Sequence, residues 1–290
     1  MDQLTIVHLS DTHLTGNARL LYGTIDPWRR LARALGAAEQ LKPDALVLTG
    51  DVADRGAAIH SDAARILAEA QYLLGCPIIT IPGNHDPAGS IGPLFNTMRL
   101  STGPHPANTV HDIDGLRIIG LDSGGFQLAQ GRIDASQQAW LDRLLSVAAP
   151  KGTVLLLHHP PLESFSAALA GRGLENPEAL AALVARSDVR AILCGHYHQT
   201  GSSQLLNTPV FMAPATSYNM NPFAPTEVVQ EDCAWFSVLH ISAQCVVSVP
   251  ASTEQMLPSQ ERTETYLALR GARAYDKQRC PERERTEEEQ

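Results

Sequence analysis

Six short segments of the chain are almost continuously apolar, and glycine, proline or polar residues bound each of them. They are LTIVHLS (4–10), DALVLTG (44–50), PIITIPG (77–83), LRIIGLD (116–122), GTVLLLH (152–158) and VRAILCG (189–195). Strands that are buried on both faces of a sheet have this pattern, whereas half-exposed strands alternate apolar and polar residues. The pattern therefore predicts six buried β-strands.

Three stretches between these strands carry apolar residues at three- and four-residue intervals, as amphipathic helices do. They are residues 27–41, 60–74 and 135–148. Strands and helices that alternate along a chain are typical of a layered α/β domain with a substantially parallel sheet. Further strand-like runs occur at 208–218 and 233–249, with a loop rich in Pro and Asn between them. They predict a second sheet that packs on the first.

The composition changes after Pro250, and the chain ends in KQRCPERERTEEEQ. A segment with such dense mixed charge buries too little apolar surface to fold alone. We therefore expect one domain over residues 1–250 and a charged C-terminal tail over residues 251–290, part of which can form a helix.

The charge and the cysteines narrow the class of partner. The net charge is -9, and nucleic acids and anionic membranes are bound by clustered Lys and Arg, so we expect a small-molecule partner rather than nucleic acid or a membrane. The five cysteines are widely spaced and form no CxxC pair, which argues against a disulfide framework and a thiolate zinc site. No signal-like or membrane-spanning pattern is visible, and we expect a cytoplasmic protein.

Residues that can bind a metal follow five of the six predicted strands. The groups are Asp11 and His13; Asp51 and Asp54; Asn84, His85 and Asp86; His158 and His159; and His196 and His198. Taken singly, each group is better explained as a turn, a helix cap or a buried histidine bonded to backbone. The carboxyl ends of parallel strands meet at one edge of a sheet, so the five groups together predict a common site. Asp, Asn and His without Cys suit Mn, Fe or Zn ions.

Five blocks of the sequence resemble, in order, the motifs of the calcineurin-like metallophosphoesterases. They are DTH (11–13), GDVAD (50–54), GNHD (83–86), HHPP (158–161) and GHYH (195–198). The flanking LYG (21–23), DGLRIIGLDS (114–123) and FMAPATSY (211–218) are similar to bacterial class III cyclic-nucleotide phosphodiesterases in particular. The resemblance implies a four-layer α/β/β/α sandwich with two mixed sheets. It also implies two divalent metal ions, Mn²⁺ and/or Fe²⁺/Fe³⁺, with Zn²⁺ as another option.

The resemblance further implies two sets of four metal ligands that share one carboxylate. The first set is Asp11, His13, Asp51 and His198. The second set is Asp51, Asn84, His158 and His196. In this arrangement Asp51 bridges the two metals, His85 contacts the substrate phosphate as the catalytic residue, and Asp54 supports the site or shapes a turn.

The two histidines of GHYH raise a geometric question, because they are separated by one residue. In an extended segment, residues i and i+2 project to the same side, about 6.5 to 7 Å apart. We therefore expect His196 and His198 to reach two metals about 3.5 to 4 Å apart, while Tyr197 packs elsewhere. By the same alternation, His159 would point away from the face that His158 occupies.

Such a site favours phosphoester hydrolysis by attack of a hydroxide that bridges the two metals. The resemblance implies a phosphodiesterase that converts cAMP to 5′-AMP. One alternative is another small-molecule phosphodiesterase or phosphomonoesterase, such as one for glycerophosphodiesters, and a more distant one is a non-catalytic metal-binding scaffold. Besides Asn84 and His85, three residues after the GHYH block are predicted to border the substrate pocket or a homodimer contact: Tyr218, Asn219 and Phe223.

Overall fold

The structure is a computed structural model that describes residues 3–17, 19–56, 58–87, 101–102, 104, 107–125, 127–224, 226–227, 230–253 and 260–270. Its helices are α1 (Pro27–Leu41), α2 (His60–Leu74), α3 (Ala135–Leu145), α4 (Pro177–Val184) and α5 (Gln260–Ala268). Its strands are β1 (Leu4–Leu9), β2 (Ala45–Thr49), β3 (Ile78–Ile81), β4 (Ser101–Thr102), β5 (Thr109–Ile113), β6 (Leu116–Gly120), β7 (Thr153–Leu156), β8 (Val189–Cys194), β9 (Gly201–Leu205), β10 (Thr208–Met212), β11 (Asn219–Met220), β12 (Gln230–Glu231), β13 (Trp235–Ile241) and β14 (Val246–Ser252).

The long strands form two mixed sheets. Sheet one has the order β14-β13-β1-β2-β3, in which β1, β2 and β3 are parallel and β13 runs antiparallel to β1. Sheet two has the order β4-β5-β6-β7-β8-β10-β9, and its central strands β6, β7, β8 and β10 are parallel. The short strands β11 and β12 pair with each other.

Three apolar cores define the layers of the molecule. One core joins sheet one to α1 and α2 through residues such as Leu35 and Ile66. A second joins sheet two to α3 and α4, with Leu141 and Leu180 among its members. A third consists of strand residues from both sheets and lies between them. The layers are therefore helix, sheet, sheet and helix, which confirms the predicted four-layer α/β/β/α sandwich.

Local sequence accounts for the helix boundaries. The Asp26 carboxylate accepts hydrogen bonds from the backbone N–H groups of Trp28 and Arg29, and Pro27 occupies the first turn, so α1 begins there. In the same way, Asp134 and Gln137 form a capping box at the start of α3. Helices α1 and α2 have the predicted bounds, whereas α3 ends at Leu145 rather than at residue 148.

The segment after residue 250 is partly folded onto the body. Strand β14 runs to Ser252, past the boundary expected from composition. Helix α5 lies against α1, where the fully buried Tyr266 donates a hydrogen bond to Glu39 Oε1 at 2.6 Å. Arg270 stacks over the Trp28 ring at 4.7 Å. Among the described residues, we find no helix with the length and apolar character that crossing a membrane requires.

Candidate metal centre

The residues expected to bind metals lie at the carboxyl ends of strands in both sheets. Asp11 and His13 follow β1, Asp51 follows β2, and Asn84 and His85 follow β3, all in sheet one. His158 follows β7, and His196 and His198 follow β8, both in sheet two. The site therefore occupies the edge where the two sheets meet, and each sheet contributes part of it.

The first expected set of ligands converges on one small volume. His13 Nε2 lies 3.0 Å from His198 Nε2 and 3.5 Å from Asp51 Oδ2. His198 Nε2 lies 3.4 Å from Asp11 Oδ1. All four side chains are buried.

The second expected set converges beside the first. His158 Nε2 lies 3.4 Å from Asp51 Oδ2 and 3.2 Å from Asn84 Oδ1. His196 Nδ1 lies 3.2 Å from His158 Nε2. Because Asp51 Oδ2 faces both His13 and His158, this carboxylate stands between the two sets.

The carboxylate and imidazole donor atoms of the two sets lie close enough together to bind divalent cations. Within the described part of the chain, the salt-bridge partners of the Asp11 and Asp51 carboxylates are histidines and not Lys or Arg. Buried carboxylates are costly unless a cation or hydrogen bonds compensate them, and several imidazole and carboxylate donors within 4.8 Å could hold an ion. The two adjoining sets of donors therefore fit a pair of metal ions.

The far nitrogens of two imidazoles are held by backbone acceptors. His158 Nδ1 donates to Thr49 O at 2.7 Å, and His198 Nδ1 donates to Tyr218 O at 2.7 Å. His13 Nδ1 lies 3.5 Å from Asp54 Oδ1. A proton held at Nδ1 leaves the Nε2 lone pair directed into the site, which is how protein histidines are prepared for a metal.

The GHYH segment is not extended, so that prediction is wrong. Strand β8 ends at Cys194, and His196 and His198 have left-handed backbones with φ of 70° and 51°. The Tyr197 N–H bonds to Gly195 O at 2.8 Å, so the chain curls in a tight turn directly after the strand. This turn, rather than strand pleating, directs His196 to one set and His198 to the other, and the Tyr197 hydroxyl donates to Leu162 O at 2.9 Å.

His159 also differs from the expectation. Because β7 ends at Leu156, the alternation of a strand does not apply to it. Its ring lies 4.6 Å from the ring of His196, not on the opposite face. Ser123 Oγ lies 3.0 Å from His159 Nδ1, while the buried His159 Nε2 has no hydrogen-bond partner among the described residues.

Two glycines allow the loops to approach each other. A Cβ at Gly83 would collide with the Asp51 carboxylate, and a Cβ at Gly195 would collide with the Ser10 hydroxyl and the Asp11 carboxylate. Only glycine permits this spacing of the loops.

Burial and mutual charge shift the pKa values of the site in opposite directions. Burial would raise the pKa of Asp51, but His158 outweighs it and holds that pKa well below its usual range. Burial would lower the pKa of His158, but Asp51 outweighs it and raises the value to about 9. Burial and the charge of His158 lower the pKa of His196 to about 3. A proton on His158 therefore competes with a metal for the same nitrogen.

His85 stands at the mouth of the site, with 29% of its side chain exposed. Its Nε2 lies 4.0 Å from Asp51 Oδ2, and its backbone N–H donates to Asp51 Oδ1 at 2.8 Å. The backbone N–H of Arg55 donates to His85 Nδ1 at 3.2 Å. Nε2 therefore carries the ring proton and faces the site. Burial lowers the pKa of His85.

The three residues expected near the substrate occupy different surroundings. Tyr218 is buried with its ring 4.4 Å from that of His198. The Asn219 amide is engaged with the backbone of Ala215 and Cys233, which gives it a structural role. Phe223 is 91% exposed.

Two contributors were given no role of their own by the sequence analysis. Asp86 accepts hydrogen bonds from the backbone N–H groups of Val52, Ala53 and Gly83, and so locks the loop that carries Asp51. Its place inside the GNHD block was a signal, although no separate role followed from it. Tyr22 lies beside Tyr218, with ring centroids 5.1 Å apart, and only its position in LYG marked it.

Comparison with known proteins gives a consistent result. Residues 4–200 match the family model described as calcineurin-like phosphoesterase. The chain is 40% identical over 221 residues to the cAMP/cGMP dual specificity phosphodiesterase of Mycobacterium tuberculosis, which covers 74% of this chain and 68% of the relative. It is 33% identical over 224 residues to the glycerophosphodiester phosphodiesterase GpdQ of Enterobacter lignolyticus, covering 75% and 79% of the two chains. In fold it resembles a purple acid phosphatase of yellow lupin, with a TM-score of 0.62, 12% identity and coverage of 89% and 53%.

Proposed function

The chain belongs to the calcineurin-like phosphoesterase family, and from this we propose that it is a metal-dependent phosphodiesterase that hydrolyses 3′,5′-cyclic nucleotides, converting cAMP to 5′-AMP. The observation that carries the proposal is the position of Asp51 Oδ2, 3.5 Å from His13 Nε2 and 3.4 Å from His158 Nε2. A carboxylate between two sets of imidazoles is suited to bridging a pair of ions.

The proposal assigns a role to each residue of the metal centre and to His85. Asp11, His13, Asp51 and His198 would hold one metal, and Asp51, Asn84, His158 and His196 the other. The bound metals would polarise the phosphoryl oxygens and acidify a water molecule. His85 presents its Nε2–H at the mouth, where it can donate to an oxygen of the substrate. Mn²⁺ and Fe ions are the candidates because all ligands are oxygen or nitrogen donors.

Glycerophosphodiesters are the second candidate substrates, since one relative with 33% identity is named for that activity. The metals and ligands would be the same for both substrates. The difference would lie in the loops around the centre, including the segment of Tyr218 and Phe223. A homodimer and a cytoplasmic location remain predictions.

An initial-rate panel on the Mn²⁺-loaded protein would test the proposal. We expect turnover of cAMP to exceed turnover of glycerophosphocholine, 2′,3′-cAMP and p-nitrophenyl phosphate, and we expect chelation to abolish it. Higher turnover of glycerophosphocholine would favour the second candidate. No turnover of any of these esters by protein that holds two metals would favour a non-catalytic scaffold.

Metal analysis of two variants would test the ligand assignment separately. Asp51→Ala should lose both ions, because Asp51 faces both sets, whereas His198→Ala should weaken one. Two tightly held ions in Asp51→Ala would overturn the bridging role. Exposed Glu264→Ala, far from the centre on α5, serves as the matched control and should keep both ions.

A further inference from the structure

Tyr22 lies at the tip of a tight, anchored turn. Backbone hydrogen bonds join Leu21 and Ile25 in both directions, at 2.8 and 3.0 Å. The side chains of Leu21 and Ile25 are buried in a small cluster with Tyr218. The backbone of Tyr22 is therefore held in one place by its neighbours.

The conformation of this turn is unfavourable for a tyrosine. Tyr22 and Gly23 have positive φ values of 49° and 78°, and Gly, Asn and Asp are the usual residues at such positions. Tyr22 is 53% exposed, so burial of the ring offsets only part of the cost. A strained, exposed aromatic residue points to a function for its ring.

Ring contacts connect Tyr22 to the metal centre. Its ring meets the ring of Tyr218 edge to face, with centroids 5.1 Å apart, and its hydroxyl donates to the Tyr218 hydroxyl at 3.1 Å. The Tyr218 ring in turn lies 4.4 Å from His198 and 5.6 Å from His13. Tyr22 is thus two side-chain contacts away from the first ligand set, on its exposed side.

The same segment also borders the His85 side of the centre. Arg19, three residues before Tyr22, donates to Asp54 Oδ2 at 2.6 Å, and Asp54 Oδ1 lies 3.9 Å from His85 Nδ1. Residues 19–25 therefore form a rim from His85 to His198. A molecule whose phosphate lies at the centre would meet this rim with its remaining part.

We propose that Tyr22 is the platform on which the planar base of a nucleotide stacks while the phosphate of that nucleotide lies at the metal centre. The inference rests on the proposed function and extends it to the recognition of the nucleoside part of the substrate. Every base has a π-face, so an aromatic platform favours nucleotides over base-free esters without selecting one base. Removal of such a platform costs about fivefold or more in affinity.

Equilibrium binding measures this without turnover. 5′-AMP and ribose 5-phosphate share ribose and phosphate and differ in the base, so the ratio of their dissociation constants isolates the contribution of the base. We would measure both by titration calorimetry on Mn²⁺-loaded wild type, Tyr22→Asn and Tyr22→Phe. Asn suits the positive φ of this turn, which protects the fold, and Phe keeps the ring. Tyr72→Gln removes a tyrosine with 56% exposure from α2 and is the matched control.

We expect Tyr22→Asn to weaken the binding of 5′-AMP by at least about fivefold and to leave the affinity for ribose 5-phosphate unchanged. Tyr22→Phe and Tyr72→Gln should bind both ligands with affinities close to those of wild type. An equal loss for both ligands, or a loss for neither, would overturn the platform. If Tyr22→Asn weakens only the binding of 5′-AMP but the protein does not hydrolyse cAMP, the proposed function is refuted and the platform stands. If the protein hydrolyses cAMP but the ratio of the two dissociation constants is unchanged in Tyr22→Asn, the platform is refuted and the proposed function stands.

Discussion

Left-handed backbone is concentrated at the metal centre. Asp11, His13, Asp51, His196 and His198 all have φ between 44° and 70°. Each such non-glycine residue costs about 1 to 3 kcal/mol, and strained residues persist where the surrounding structure holds them. Here the holding groups are buried hydrogen bonds such as Asp11 N–H to Gly50 O at 3.0 Å. The loops thus place five side chains in one small volume at the expense of stability.

This strain predicts an unusual order of stability among variants. At His198, Gly should give a higher free energy of unfolding than Ala, by about 1 kcal/mol, because Gly adopts positive φ without a Cβ clash. His158 is an equally buried ligand candidate without positive φ, and there Ala should be more stable than Gly. Urea unfolding of the four variants in chelator checks both orders. If Ala were more stable than Gly at His198 as well, Gly would not relieve strain there and the prediction would be wrong.

Substitution of His85 should impair catalysis without loss of the bound metals. The His85 Nε2–H faces the centre because Arg55 N–H occupies Nδ1, so it can donate to the departing oxygen. We expect His85→Ala to retain two metals and to lose about 10² to 10⁴ in kcat on cAMP. The loss should be smaller for a nitrophenyl diester, whose leaving group is stable as an anion. Rates and metal content of the same preparations test this, and an equal loss on both substrates would point to phosphate positioning instead.

Titration of the buried His8 should account for part of the pH dependence of the free energy of unfolding. His8 is fully buried in β1, where desolvation lowers its pKa from 6.5 to about 3 despite the opposing charge of Asp11. Below pH 6.5 the unfolded chain binds a proton at His8 that the folded protein binds only near pH 3. The stability contribution of neutral His8 is therefore present above pH 6.5 and falls by up to about 1.4 kcal/mol per pH unit as the pH drops.

The variant His8→Gln removes this titration and keeps an amide near Thr49 Oγ1, which bonds His8 Nε2 at 2.8 Å. Free energies of unfolding of the metal-free proteins from pH 7.5 to 4.5 should decline less steeply for His8→Gln than for wild type. Parallel curves would mean that His8 is protonated in the folded protein as readily as in the unfolded chain.

At the scale of elements, α5 contributes to the stability of the helical layer over sheet one. Tyr266 is completely buried between α5 and α1, and its hydroxyl donates to Glu39. Truncation of a buried aromatic residue costs about 3 to 5 kcal/mol. We expect Tyr266→Ala to lower the free energy of unfolding by about that amount in urea, whereas Glu264→Ala, which breaks an exposed ion pair with Arg29, should cost under about 1 kcal/mol. No effect of Tyr266→Ala would mean that α5 is not packed on the body in solution.

The sequence predicts some elements well and others poorly, for physical reasons. Strands such as β1 and β2 are covered on both faces, so they are continuously apolar and stand out. Strand β9 lies at a sheet edge and reads GSSQL with mostly exposed side chains, so no apolar signal marks it. Strand β5 carries His111 and Asp112 among its residues, which hides it in the same way.

The candidate site also has features that the sequence predicts well and features that it does not predict. The residues that follow the strands indicate which side chains converge, because parallel strands end at one edge. They do not indicate the backbone of those residues. The left-handed turns at His196 and His198 depend on contacts distant in sequence, such as His196 N–H to Asp11 Oδ2 at 3.0 Å and His198 Nδ1 to Tyr218 O. The position of His159 beside His196 depends on Ser123, which lies 36 residues away.

At the scale of the whole molecule, the metal centre joins the two sheets. Sheet one supplies Asp11, His13, Asp51 and Asn84, and sheet two supplies His158, His196 and His198. Away from the centre, the sheets are joined by the apolar core between them. Metal ions bound by both sheets should therefore stabilise the two layers together.

Tryptophan fluorescence can follow each layer. Trp28 in α1 belongs to the core over sheet one, and Trp140 in α3 belongs to the core over sheet two. With Trp140→Phe, the remaining tryptophans, Trp28 and Trp235, report on sheet one; with Trp28→Phe and Trp235→Phe combined, Trp140 alone reports on sheet two. We expect Mn²⁺ at 100 times its dissociation constant to raise the free energy of unfolding by about 2.7 kcal/mol per site, with the same urea midpoint for both reporters. Asp51→Ala should abolish the shift in both. A metal-dependent shift in one reporter alone would show that the ions are held by a single sheet, and the shared centre would then be wrong.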